Sequence, residues 1–220
     1  MQERFAAVDA HLGRLVDEDA ALVAARTAED VSRPGIEVSP LAGKLLFLLA
    51  RAMGARRVLE FGTLAGYSTI WLARAVGPAG RVVSLEIDRA NALAARRNLE
   101  AAGVSAWVDI LCGSAADTSA KLAERGVEPF DLVFVDADKA SLPTYLDRAA
   151  ALTRAGALVV IDNVVRGGRI IEVEAAASDP HIAGVRQALD VLASDPRYDA
   201  TAVQTVGVKG WDGLALALRT

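Results

Sequence analysis

Two short stretches of this chain carry oxygen ligands where a cation or a proton could be handled. In one, the apolar run Asp131-Leu132-Val133-Phe134-Val135 ends in Asp136-Ala137-Asp138-Lys139. In the other, Ala157-Leu158-Val159-Val160-Ile161 ends in Asp162-Asn163. Continuous apolar runs suit parallel strands covered on both faces, and ligands of such sheets bind beyond the carboxyl ends of the strands. Both polar ends are therefore expected at one crevice. Carboxylate, carboxylate and amide oxygen form a hard, all-oxygen set that suits Mg²⁺, Mn²⁺ or Ca²⁺ better than zinc or copper. Asp and Asn are also ordinary turn formers, so any one of these residues alone is explained equally well as a strand-end turn.

An earlier stretch offers a second kind of chemistry. Glu60-Phe61-Gly62-Thr63-Leu64-Ala65-Gly66-Tyr67-Ser68 joins a strand to a helix, where glycines let the backbone approach a nucleoside-type cofactor. Leu64 stands where the dinucleotide fingerprint has its middle glycine, which disfavours a pyrophosphate-bearing cofactor. Glu86 ends the next strand, where an acidic side chain reaches ribose hydroxyls. Ser68 is as well explained as an N-cap as it is a cofactor contact.

The elements that must position these residues follow from periodicity. The 220 residues are 53% hydrophobic, enough for a large core and compatible with one α/β domain over 1–220. Helical spacing covers 4–27, and Ser39-Pro40 is a start signal for a helix over 41–53 that is apolar nearly all round and is expected to be buried. These N-terminal helices, 1–53, are read as a cap or a dimer contact. Strands over 58–61, 82–87, 107–111, up to 136 and up to 161 alternate with helices over 68–76, 89–102, 119–125 and 143–152. The alternation predicts a right-handed, doubly wound parallel sheet. A polar loop after Gly168, a helix over 181–193 and strands over 201–206 and 214–218 follow, the last two forming an antiparallel hairpin. The fold class is thus α/β, a doubly wound, mostly parallel Rossmann-like sheet with one antiparallel strand. His181 is assigned to local helix-start structure.

Composition narrows the function. A formal charge of −4 provides no basic field for a phosphate backbone, so no nucleic-acid partner is expected. No apolar run approaches the ~18 residues of a membrane span, and the N-terminus lacks a signal-like core. Cys112 is the single cysteine, which forbids an internal disulfide and reads as a small buried hydrophobe in its strand. A cytoplasmic protein is expected.

Taken together, the glycine turn with Glu60, the acid Glu86, Phe134-Val135-Asp136-Ala137-Asp138-Lys139 and Ile161-Asp162-Asn163 resemble the metal-dependent, S-adenosylmethionine-dependent O-methyltransferases of the caffeoyl-CoA and catechol type. The resemblance runs from Val38-Ser39-Pro40 to Lys209-Gly210-Trp211-Asp212-Gly213, and it implies a seven-stranded sheet and a homodimer. It further implies that Val38, Glu60, Gly62, Thr63, Ser68, Glu86, Ala115, Asp136 and Asp138 serve the cofactor, and that Asp136, Asp162 and Asn163 bind the divalent metal. Lys139 matches the lysine held to be the general base. Plant members carry a substrate-touching asparagine where this chain has Gly167, whereas Arg166-Gly167 and Gly62-Thr63 match the small bacterial members.

The resemblance implies Mg²⁺-dependent methylation of a small catechol or other vicinal hydroxy-aromatic. Asp136 and Asp138 favour the charged form of Lys139, which suits stabilisation of a phenolate, while a cation at Asp136 would permit the role of base. Arg33, Val38, Val164 and Arg166 lie in segments expected to border the crevice and Trp211 in the hairpin turn; each is better explained by packing or solvent exposure than by specific recognition, and Arg166 is a candidate for gripping an acidic substrate group. Three alternatives stand beside this reading: methylation of a hydroxyuridine in tRNA, a nicotinamide-dependent dehydrogenase, and a non-catalytic cofactor-binding protein. Net charge opposes the first, Leu64 the second, and the assembled ligand set the third.

Overall fold

The computed structural model describes residues 2–220. They form two compact units, one of Ala7–Thr118 and the other of Ser119–Thr220 with the chain's first residues up to Ala6. The helix expected across 4–27 is broken. It becomes α1 (Gln2–Leu12), a 3-10 turn at Gly13–Leu15 and α2 (Ala20–Arg26). Asp19 causes the restart: its carboxylate accepts the Leu22 N–H at 3.0 Å and caps α2. Glu18 beside it accepts from the buried Tyr67 hydroxyl at 2.8 Å and from Arg26 Nε at 3.0 Å, which ties the break to the unit.

Ser39 caps α3 (Pro40–Ala52) with proline at the first helical position, as its sequence signals. Within the chain itself this helix is buried along one side. Gly43, Leu46 and Ala50 form the buried stripe, while Leu45 and Leu48 are exposed. The close approach to the next helix runs through Gly43, where an added Cβ would lie 2.5 Å from the Trp71 ring.

Strands β1 (Arg57–Phe61), β2 (Arg81–Glu86) and β3 (Val108–Cys112) alternate with α4 (Tyr67–Val76) and α5 (Arg89–Ala101), and α6 (Ala115–Glu124) follows. The strand order within this unit is β3-β2-β1, all parallel. Register pairs Phe61 with Leu85 and Glu86 with Cys112, so the carboxyl ends of all three strands form one rim. Cys112 corrects its reading: it is exposed, because it sits at the end of β3, and β3 is paired only with β2. It borders a cavity of about 370 Å³ lined also by Arg89, Ala92, Leu93 and Arg96.

In the other unit β4 (Phe130–Val135), α7 (Leu142–Leu152) and β5 (Thr153–Asp162) continue the alternation. The loop expected after Gly168 is instead a 3-10 segment, Arg166–Ile171, and α8 (Val173–Ser178), followed by α9 (Pro180–Ser194). Strands β6 (Tyr198–Gly207) and β7 (Gly210–Arg219) extend well beyond the hairpin expected over 201–218. The order is β4-β5-β7-β6, with β4 and β5 parallel and β7 antiparallel to both neighbours. The α/β class, the seven strands and the reversed strand are as expected. All six residues of β4 are buried, which is why the run reads as continuously apolar. Among the described residues no helix is long and apolar enough to cross a membrane.

α9 approaches the loop after β4 backbone to backbone. A Cβ on Gly184 would lie 2.0 Å from the Lys139 carbonyl oxygen and 2.8 Å from Ala140 Cα, and no flexible side chain is there to give way. Alanine is the better helix former by about 1 kcal/mol, but overpacking of this kind costs about 1–3 kcal/mol or more. Gly184→Ala should therefore lower the melting temperature by about 4 °C or more, given roughly 2–4 °C per kcal/mol for a chain of this size. A melt equal to or above that of the wild type would refute the close approach.

Candidate active site

At the rim of β1, β2 and β3, two buried carboxylates organise the glycine turn. Glu60, fully buried in the middle of β1, accepts from the hydroxyls of Ser68 at 2.6 Å, Thr69 at 2.5 Å and Ser84 at 2.6 Å. A carboxylate only accepts, so the single Ser84 proton is committed to Glu60. The 2.6 Å contact between Thr63 and Ser84 therefore has Thr63 as donor. Ser68 is thus neither an N-cap nor free: the N-cap of α4 is Gly66, in a left-handed conformation, and Ser68 serves Glu60.

Glu86 accepts three backbone N–H groups, from Thr63 at 3.2 Å, Leu64 at 2.8 Å and Asp88 at 2.8 Å. This explains how Leu64 can stand where a glycine is usual. Its φ of 50° lies in the left-handed region that a side chain disfavours, and the charge-assisted bond to Glu86 holds it there. A carboxylate offers about four lone-pair directions, so three amides leave Glu86 able to accept a further hydroxyl. Gly62 continues the β1 ladder by donating to Leu85 O at 2.9 Å. Ala115 opens α6 immediately after Gly113 and Ser114, at the end of β3. Val38 is buried just before α3, and Arg33 is exposed.

The other unit brings the acids together. Val135 and Ile161 are register partners in the parallel pair, so Asp136 and Asp162 come side by side at the carboxyl ends of β4 and β5. Burial and the negative charge of Asp136 push the Asp162 carboxyl up to about 7, partly offset by Lys139. Lys139 is not the surface lysine its sequence neighbours would allow. Its side chain is 6% exposed, and Nζ donates to Asp136 Oδ1 at 2.9 Å. Its backbone is fixed by Gly184 and by its own N–H, which donates to His181 Nδ1 at 3.3 Å. His181 therefore does more than start α9. Asn163 follows with a left-handed φ of 61° and donates its N–H to Asp162 Oδ1 at 2.7 Å.

Asp138 accepts from Ser141 N at 3.0 Å and from the Tyr145 hydroxyl. Burial pushes its carboxyl up, but those bonds outweigh burial and hold it below the ordinary carboxylate range. Val164 is buried, and Arg166 is half-buried with a left-handed φ of 56°. Among the described residues no three His, Cys, Asp or Glu side chains gather as metal ligands. The candidate set is two carboxylates and an amide oxygen. Its chemistry fits a divalent cation, because a carboxylate whose charged form is disfavoured by burial and by a neighbouring anion gains from a nearby positive charge.

Several residues of this framework carry no motif. Ser84 and Thr69 lie inside apolar segments, and only their burial marks them. Asn91, also buried, grips Ser32 in both directions, at 2.8 and 3.0 Å, and fixes the segment that carries Arg33.

Comparisons with known proteins identify the family. A family model described as O-methyltransferase matches residues 17–220. The catechol O-methyltransferase of Mycobacterium tuberculosis is 52% identical over 213 residues, covering 96% of this chain and 94% of that protein. Among solved structures, the O-methyltransferase TomG of Streptomyces achromogenes, involved in tomaymycin synthesis and in complex with SAM, superimposes with a TM-score of 0.95 at 46% identity, covering 100% of this chain and 98% of that one. A Bacillus cereus O-methyltransferase in complex with SAH gives 0.94 at 41% identity with both chains fully covered.

The raised Asp162 carboxyl has a stability consequence with a definite sign. Its folded value, about 7, lies above the ordinary 3.8, so the folded state holds the proton more tightly. That contribution is complete below about 4 and is lost as pH rises through about 7. Asp162→Asn mimics the neutral form at every pH. The metal-free variant should melt at least about 2–4 °C above the wild type at pH 8, corresponding to 1 kcal/mol or more, with the gap shrinking as pH falls to 5. A variant that melts at or below the wild type at pH 8 would show that the two acids do not crowd.

Proposed function

This chain belongs to the O-methyltransferase family and depends on S-adenosylmethionine, and from that premise we propose that it methylates one hydroxyl of a small vicinal dihydroxy-aromatic with the help of a divalent cation. The observation that carries the proposal is the pair Asp136 and Asp162, side by side and repelling, with the amide of Asn163 adjacent in sequence and Lys139 buried against Asp136. The name of the tuberculosis relative supports a catechol as the substrate class.

Glu86 would receive a ribose hydroxyl of the methyl donor on its remaining acceptor position. Gly62, Thr63, Ser68, Ala115 and Val38 would border the donor, with Glu60 fixing the hydroxyls of Ser68, Thr69 and Ser84 beneath it. Asp136, Asp162 and Asn163 would hold the cation. Bound there, a cation orients two neighbouring oxygens and lowers the pKa of the one that reacts. Lys139, held with Nζ on Asp136 and shielded from solvent, keeps further N–H donors for the phenolate oxygen. We assign it electrostatic stabilisation of that charge. Arg166 would read an acidic group on the substrate and Val164 would supply apolar packing; Arg33 is exposed.

Magnitudes rank these parts. Correct placement of reacting groups can be worth about 7–11 kcal/mol, whereas proton handling by one side chain typically adds about 10²–10⁴-fold. The acid set therefore outranks Lys139. In a methyl-transfer assay over a panel of catechols, thorough chelation should lower the rate by about 100-fold or more, and added Mg²⁺ should restore it. Activity that survives chelation would remove the metal from the proposal. Lys139→Met should lower kcat by about 10²-fold with little change in the binding of the methyl donor. Full activity across the pH range would remove Lys139 from the chemistry.

A further inference from the structure

The segment that leaves the acid set, 163–168, has an unusual backbone, one that glycine and asparagine accept but that Arg166 does not favour. Asn163 and Arg166 have φ of 61° and 56°, and Gly167 and Gly168 have 65° and 86°, so four of six residues are left-handed. Side chains disfavour that region, and such geometry persists only where the surroundings over-determine it. Here the surroundings are the β6–β7 turn. One oxygen of Asp212, Oδ1, accepts the N–H groups of Val165 at 3.0 Å, Arg166 at 3.0 Å and its neighbour Gly213 at 2.9 Å. Gly213 O accepts from Val164 N at 3.1 Å.

Packing completes the hold. A Cβ on Gly168 would lie 2.7 Å from the Trp211 ring, and one on Gly213 would lie 2.6 Å from Val165 Cγ2. Trp211 is braced from β6 by its Nε1, which donates to Gln204 Oε1 at 2.8 Å. The turn itself has little freedom, since β6 and β7 pair from Tyr198 with Arg219 down to Gly207 with Gly210. β7 also pairs with β5 as far as Leu214 opposite Asp162, so the turn returns beside the acids.

We propose that Asp212, seated on the β6–β7 turn and backed by Trp211, is a positioning residue that holds 163–168 in the conformation from which Asn163 serves the cation and Arg166 the substrate. It acts through that loop and touches no reacting atom. The roles of Asn163 and Arg166 rest on the function proposed above; the clamp on the loop does not. Substrate choice in this chain is then set partly by residues about fifty positions beyond the loop they shape.

The test compares Asp212→Ala, which removes the acceptor, with Asp212→Asn, which keeps an Oδ1 acceptor in place. Three quantities are read on the full chain: hydrogen exchange of the Val165 and Arg166 amides, Mn²⁺ affinity, and the binding of S-adenosylmethionine, whose Glu86 framework lies in the other unit. In the wild type both amides should be strongly protected. Asp212→Ala should lose at least tenfold of that protection, weaken Mn²⁺ binding at least tenfold and raise the KM for catechol more than it lowers kcat. Donor affinity should stay within about twofold. Asp212→Asn should stay within about threefold of the wild type throughout, the rescue that a general loss of folding would not give.

Unprotected amides in the wild type overturn the proposal without any variant. So does an Asp212→Ala loop that remains protected, or one that loosens while Mn²⁺ affinity and KM stay unchanged. Equal defects in the Ala and Asn variants overturn the acceptor role. If Asp212→Ala loses donor binding as well, the wild-type amides and Asp212→Asn decide. Failure of the metal reading is separately visible as a wild type that binds no Mn²⁺, and amide protection and the KM for catechol then decide the clamp.

Discussion

Val135 and Ile161 are partners in a parallel pair, so the residues that follow them come side by side at the carboxyl ends of the strands, and both are aspartates. Burial first, and the like charge of Asp136 second, raise the carboxyl of Asp162. Burying the chain of Lys139 and pairing Nζ with Asp136 offsets part of this rise. The surroundings of the acids are arranged to maintain this placement: Gly184 gives α9 room against the Lys139 backbone, His181 receives the Lys139 N–H, and Asp212 holds the loop after Asn163. A fold selected for stability alone would replace one aspartate with a neutral residue. In the function proposed, the retained crowding would give the acid set its affinity for a positive ion.

The carboxylates of the other unit are used in the opposite way. Glu60 is fully buried and receives three hydroxyl donors; Glu86 receives three backbone amides. Buried charges matched by donors in this manner stabilise geometry, and here the geometry is a turn that includes a left-handed leucine. The chain thus holds one group of acids whose bonding is largely met and which shape a cradle, and another whose charge is under-compensated and which, in the function proposed, would recruit a cation. The contrast separates scaffold from chemistry better than residue type does.

Much of this was legible in the sequence where a physical rule is local. Buried parallel strands read as apolar runs, their polar ends located Asp136, Asp162 and Asn163, and Ser39-Pro40 marked the start of α3. What escaped depended on partners distant in the chain. Nothing near Asp212 announces that its carboxylate serves amides at 165 and 166, and nothing near Asn91 points to Ser32. The break between α1 and α2 was hidden because Asp17, Glu18 and Asp19 fit an exposed helical face as readily as they fit a restart. Cys112 looked buried by residue type, but it lies at the end of a strand with a single partner. The burial of Lys139 was not readable either: its side chain is buried, and α9, contributed from some forty residues later, packs against its backbone.

The central claim is that Asp136, Asp162 and Asn163 form a divalent-cation site. Direct titration of Mn²⁺ into the protein with S-adenosylmethionine present, followed by the loss of free-ion signal, tests it without relying on turnover. The account predicts saturable binding of one ion per chain in the wild type, lost or greatly weakened in Asp162→Asn and in Asn163→Ala while donor binding is retained. A wild type with no saturable binding, or variants that bind as the wild type does, would contradict it.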